Sequence, residues 1–156
     1  MGGAPTTGRG SGWVIAQFVL MTAVVLAGFL PPEWPDGARQ VRLVAGAGLI
    51  AVGAAFGVWA SRELGRALTP FPKPRPVGLV TTGPFAVVRH PIYLGFLGVF
   101  VGYGLLTGVL ALALVGALGA LWVGKTRLEE RLLSDVYPDY AGYRARVRWR
   151  IAPFVY

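Results

Sequence analysis

The residues best suited to chemistry stand at the edge of an apolar block. Arg89, His90 and Pro91 close a polar, basic loop, and Tyr93 lies just inside the helix that Pro91 opens. Pro91 has the fixed φ and missing N–H that suit a first helical position, which puts His90 at the cap. The spare N–H groups of that first turn and the Arg89 guanidinium converge on one small volume, and such a volume favours a carboxylate or phosphate. An anion site at a membrane surface is the expectation.

Glu129 and Glu130 stand side by side further along the chain. A helix directs neighbouring side chains about 100° apart, so they cannot face one ligand as a matched acid–base pair. One is expected to face the site and the other to face solvent or an arginine. Lys125 is spaced for an i,i+4 contact with Glu129. Tyr137, Tyr140 and Tyr143 recur every three residues, and Arg144, Arg146, Arg148 and Arg150 then alternate with Ala145, Val147 and Trp149. Such a segment reads as an interfacial aromatic belt with phosphate-binding arginines, or as a set of residues that closes over a lipid-like substrate.

Apolar helices must position these groups. Of the 156 residues, 54% are hydrophobic, and they fall into long blocks, which marks an all-α integral membrane protein of one domain. The formal charge of +8 lies in segments flanking the blocks, so membrane topology accounts for it without nucleic acid. The absence of cysteine removes disulfides and thiolate nucleophiles, and a single histidine makes a zinc site improbable, so no metal is expected.

Residues 1–12 read as a flexible tail. Trp13–Leu30 is long enough to span a bilayer, and with only Arg9 upstream and no small-residue cleavage pattern it is read as a retained span and not a signal peptide. A short connection, Pro31–Gly37, leads to the second block, Val41–Ala60, whose Gly46, Gly53 and Gly57 share a face suited to close helix packing. A basic connection follows, and Pro70, Pro72, Pro74 and Pro76 at every second position predict an extended strap over the membrane face. The third block runs from Pro91 to about Thr107 and the fourth from about Val109 to Gly124, a tight helical hairpin; the pattern leaves open whether both cross fully. Residues 125–156 are polar, beginning as a continuation of the fourth helix. About four spans result. The connection after the first span carries no basic excess, whereas 61–91 and 125–156 are both basic, so both termini are expected in the cytoplasm.

Gly83-Pro84-Phe85, then Arg89-His90-Pro91-x-Tyr93-Leu94-Gly95, a helical hairpin, Leu128-Glu129-Glu130 and a Tyr-x-x-Tyr-x-x-Arg tail beginning at Tyr140 form an ordered set. It resembles the C-terminal half of the isoprenylcysteine carboxyl methyltransferase and phospholipid methyltransferase superfamily, over roughly residues 76–153. Phe85 stands where relatives often carry tyrosine, and the short N-terminal half resembles small prokaryotic members, which implies the plasma or inner membrane of a prokaryote. The resemblance implies a membrane methyltransferase that uses S-adenosyl-L-methionine at the cytoplasmic face. It implies cofactor contacts at Gly83, Pro84, Arg89, His90, Pro91, Tyr93, Leu94, Glu129 and Glu130. Arg89, His90 and Glu129 are the catalytic candidates, and Tyr140, Tyr143, Arg144 and Arg148 the substrate candidates. The acceptor would be lipophilic or a small amphiphile carrying a carboxylate, thiol or amine. Two other readings remain open: an NADPH-dependent membrane reductase, because sterol reductases look similar in their cofactor region, and a non-enzymatic scaffold whose basic segments bind anionic lipid.

Overall fold

The computed structural model describes residues 8–31, 34, 35 and 37–154. Residues 1–7 of the expected tail, and Pro32, Glu33 and Asp36 of the first connection, lie outside the described residues. Five α-helices follow one another: α1 (Gly8–Ala27), α2 (Arg39–Leu64), α3 (Pro91–Thr107), α4 (Val109–Val136) and α5 (Tyr140–Arg146). The described residues form no strand ladder, only an isolated parallel bridge between Val88 and Trp149. Helices α1, α2 and α4 are long and apolar enough to cross a membrane, and α3 is a shorter apolar helix. Their outward faces carry bare apolar side chains such as Ile15, Val19, Leu26, Val44 and Val52, the surface expected of helices solvated by lipid. The chain is an all-α integral membrane protein.

Two boundaries differ from the sequence expectation. Helix α1 starts at Gly8, so residues 8–12 are helical where a tail was expected; the added turn has something to pack against, since a Cβ on Gly10 would lie 3.2 Å from Pro72 of the strap. Helix α2 runs on to Leu64, and the non-helical path, a series of bends and not the straight extended strap expected, begins only after a single tight turn over Gly65–Ala67.

Glycine sets the packing of α2 on α3. A Cβ on Gly53 would come within 2.7 Å of the Gly95 carbonyl oxygen, and one on Gly95 within 2.7 Å of the Gly57 Cα. Gly46 faces Gly102 in the same way one end further along. The stripe expected on α2 therefore meets a matching stripe on α3, Gly95, Gly98 and Gly102, and backbone touches backbone, the close approach that small residues permit in lipid. Helices α1, α3 and α4 share the larger core of Val24, Phe100, Val115, Leu118 and Trp122, which Ile151 of the C-terminal tail also enters.

Helices α3 and α4 are separated by Gly108 alone, and a Cβ on Gly104 would press on Leu112 across the turn. The Trp34 indole donates to the Gly104 carbonyl at 2.9 Å, which fixes the α1–α2 connection beside this hairpin tip. The strap, the Arg89–His90 corner and the C-terminal segment lie together at the other end of the bundle.

Candidate active site

Pro91 disfavours helical geometry in the residue before it, and His90 lies outside the helical region at φ −127° and ψ 62°. A non-helical corner leaves its backbone groups to be satisfied elsewhere, and the tail takes them up. The Arg89 N–H donates to the Trp149 carbonyl at 2.9 Å and the His90 N–H to the Arg150 carbonyl at 2.8 Å. The side chains repeat the link. Arg89 Nε donates to Glu130 Oε1 at 2.7 Å, while its Nη1 donates to the Val147 and Arg148 carbonyls at 2.7 and 2.6 Å. Arg150 grips the same carboxylate with two bonds, Nε to Oε1 at 3.0 Å and Nη2 to Oε2 at 2.9 Å, the forked geometry in which guanidinium and carboxylate bind most strongly.

The anion site expected at the start of α3 would have to share Arg89 with partners inside the protein: a buried carboxylate and two carbonyls beyond the end of α5 take its Nε and Nη1 donors.

The His90 ring lies between the two glutamates. Nδ1 is 3.4 Å from Glu129 Oε2 and Nε2 is 3.3 Å from Glu130 Oε1. The roughly 100° between neighbouring helical side chains lets the two carboxylates reach opposite edges of one ring. Glu130 is turned to arginines, as expected for one of the pair, and neither is given up to solvent. Glu129 also accepts from the Tyr93 hydroxyl at 2.6 Å and stands 3.8 Å from Lys125 Nζ. Lys125 is buried and donates to Gln17 Oε1 at 2.7 Å and to the Pro70 carbonyl at 2.8 Å. One ammonium thus ties α1, the strap and the Glu129 side of the site together.

A cavity of about 330 Å³ opens beside this cluster, within the range of small-molecule sites. Arg89, His90, Pro91, Tyr93 and Glu129 form one wall, Tyr137, Tyr140 and Tyr143 another, and Leu68–Pro72 of the strap closes over it. Phe18, Phe85, Ile92 and Phe96 make the remainder largely apolar. The strap is pinned at its far end by the Tyr137 hydroxyl, which donates to the Arg75 carbonyl at 2.6 Å. Tyr143 donates to the Phe85 carbonyl at 2.7 Å. The Tyr140 hydroxyl, on a side chain only 1% exposed, has no hydrogen-bond partner among the described residues. Burial, above all, holds both the Tyr140 and the Tyr143 phenol above the ordinary tyrosine value, so each presents an O–H donor.

Other residues singled out from sequence lie away from the cavity wall. Leu94 packs into the core around Trp122, and Pro84 is buried in the turn Gly83–Ala86. Gly83, at φ +56°, brings that turn against Glu63, whose carboxylate accepts from the Thr82 hydroxyl. Arg144 lines a second cleft behind Glu130, and the Arg148 side chain is exposed while its carbonyl serves Arg89. Gln17, Lys125 and Arg150 were not among the expected site residues. A lone glutamine inside an apolar block was a usable signal for the first, because amides in spans turn toward the bundle interior. The described residues contain no group of three histidine, cysteine or carboxylate side chains placed for a metal ion.

A bundle of apolar helices with a polar, two-carboxylate cluster under a basic strap makes this a membrane protein with a cavity of small-molecule size at one end of its bundle. The phospholipid methyltransferase family profile matches residues 41–140, and the chain belongs to that family, within the isoprenylcysteine carboxyl methyltransferase-like superfamily. Among curated proteins, the chain is 37% identical over 70 residues to the cobalt-zinc-cadmium resistance protein CzcN of Cupriavidus metallidurans, covering 44% of this chain and 32% of that protein. It is 39% identical over 71 residues to the nickel-cobalt-cadmium resistance protein NccN of Alcaligenes xylosoxydans xylosoxydans, covering 44% of this chain and 33% of that protein. The matches thus span about a third of the length of those relatives.

Proposed function

We propose that the cavity binds S-adenosyl-L-methionine at the cytoplasmic face of a prokaryotic plasma membrane, and that the protein transfers a methyl group to a lipophilic or small amphiphilic acceptor. Membership of a methyltransferase family supports the reaction class. One observation carries the cofactor reading: the buried Tyr140 hydroxyl on the cavity wall has no partner, and an unpaired donor in such a place is costly unless a ligand accepts from it.

The other groups on the wall suit the same ligand. Glu129 offers acceptor oxygens for an ammonium or for ribose hydroxyls, and its charge favours a cation nearby. His90 is the neighbouring polar contact. Tyr93 and the apolar lining suit a flat aromatic ring. When bound, the cofactor would supply an electrophilic methyl on a sulfonium, with sulfur as the leaving group. The chain would hold the two reactants aligned and exclude water, the largest gains available to such a displacement. A carboxylate acceptor needs no base. For a thiol or amine, His90 and Glu129 are the groups placed to take the proton.

A groove of about 430 Å³ between α2 and α3, lined by Gly53, Gly57, Gly95 and Val99, shares Ile92 and Phe96 with the cavity. It supports sideways access for a lipophilic acceptor. Equilibrium dialysis of the detergent-purified protein with S-adenosyl-L-methionine, S-adenosylhomocysteine and NADPH tests the reading. Binding of the first two and not the third is expected. Binding of NADPH alone would establish the reductase alternative, and binding of none would leave the scaffold.

A further inference from the structure

Behind Glu130, on the side away from the cavity, lies a cleft of about 200 Å³. Arg127 and Arg131 of α4, Arg144 of α5 and Arg150 of the tail line it together with Ser134 and Glu130. Four guanidinium groups share this concavity with one carboxylate, and that carboxylate is held by Arg150 and by Arg89 from behind. Arg127 and Arg131 are one helical turn apart, a spacing at which like charges repel. The fold then adds the Arg144 charge from another helix to the same place.

The height of the cleft is set by α4. Its apolar run ends at Gly124, and at ~1.5 Å per residue Arg127 stands about 5 Å beyond it, within the headgroup layer, and Arg131 about 10 Å beyond it, just past that layer. A phosphoryl group presents several oxygens to planar guanidinium forks, and Arg131 and Arg144 bring two such forks to the cleft from different helices.

We propose that this cleft is a phosphoryl-anion site at the membrane surface, filled by the phosphodiester of an acidic lipid or by free phosphate. It is distinct from the methyl-transfer cavity and does not depend on that function. Its wall, Glu130, is the residue that Arg89 and His90 contact from the cavity side. Charge at the membrane surface would therefore be felt next to the cavity.

Native mass spectrometry of the full chain released from detergent, after incubation with equal amounts of dioleoyl-phosphatidylglycerol and dioleoyl-phosphatidylcholine, tests this. A parallel arm follows the unfolding midpoint in inorganic phosphate against chloride at matched ionic strength. At least a fivefold preference for phosphatidylglycerol, stabilisation by phosphate, or both is expected. The double variant Arg131→Gln/Arg144→Gln should abolish whichever is seen, whereas Lys73→Gln/Arg146→Gln, with the same loss of charge outside the cleft, should change it by less than twofold. Lipid preference without phosphate stabilisation assigns a headgroup site, and the reverse assigns a soluble anion. No preference in either arm, or equal loss in the two double variants, overturns the site.

Discussion

Single residues here separate into those that hold the fold and those that wait for a ligand, and Tyr140 and Glu130 mark the two ends. A buried hydroxyl without a partner costs about 1–3 kcal/mol, so Tyr140→Phe should leave the unfolding midpoint of the free protein unchanged or slightly raised. The same change should weaken S-adenosyl-L-methionine binding about tenfold, near 1.4 kcal/mol. A lowered midpoint with unaltered affinity would make the hydroxyl structural and remove the main support for the cofactor reading. Glu130→Ala should behave in the opposite sense. It strands Arg89 and Arg150, both of which bond the carboxylate, and breaking a buried pair in this way costs about 3–5 kcal/mol. The individual types at the site were legible in sequence because histidine and adjacent glutamates are rare beside apolar blocks. Their pairing was not. Which of Arg89, Arg144, Arg148 and Arg150 would meet Glu130 depends on how the tail folds back over a distance no local pattern encodes.

At the scale of elements, α2 and α3 depend on contact between glycine stripes. A Cβ at Gly53 would sit 2.7 Å from a carbonyl oxygen of α3, whereas Gly48 has nothing within 4 Å. Gly53→Ala should destabilise the protein by about 1–3 kcal/mol through overpacking. Gly48→Ala should be neutral or stabilising, since alanine is the better helix former. Thermal unfolding in detergent reads both, and equal effects would mean that the stripes do not set the packing. The glycine face on α2 was visible from periodicity, and α3 matched its expected limits of Pro91 and Thr107 because proline and glycine punctuate both ends. The strap was legible from its alternating prolines as non-helical chain, though it follows a series of bends and not a straight extended path, and its anchors were not legible. The carbonyls of Pro70 and Arg75 are backbone groups, and which donors meet them, Lys125 and Tyr137, is decided by tertiary contact. The start of α1 was missed for a related reason: glycine and serine argue against helix locally, and packing at Gly10 against Pro72 overrides them.

The whole molecule has two unlike ends, and the difference dictates how it sits in a bilayer. One end carries the Arg89–His90 corner, the strap and the arginine-rich tail; the other carries the α3–α4 turn and the Trp34 connection, tied together by the indole bond to Gly104. The Lys and Arg excess of the first end should hold it in the cytoplasm. That placement also gives the cavity mouth access to a water-soluble nucleotide while its apolar walls, Phe18 and Phe96, continue into the lipid-facing helices. Because the chain has no cysteine, single reporters can be read without background. Pro31→Cys and Arg146→Cys, both at exposed positions, place one thiol at each end. In intact cells a membrane-impermeant maleimide should label the Pro31→Cys protein and spare the Arg146→Cys protein. Inverted vesicles should reverse the pattern. Labelling of Arg146→Cys from outside would put the cavity on the wrong side of the membrane for a cytosolic cofactor, and would count against the methyltransferase mechanism even if the helices and the glutamate cluster were unchanged.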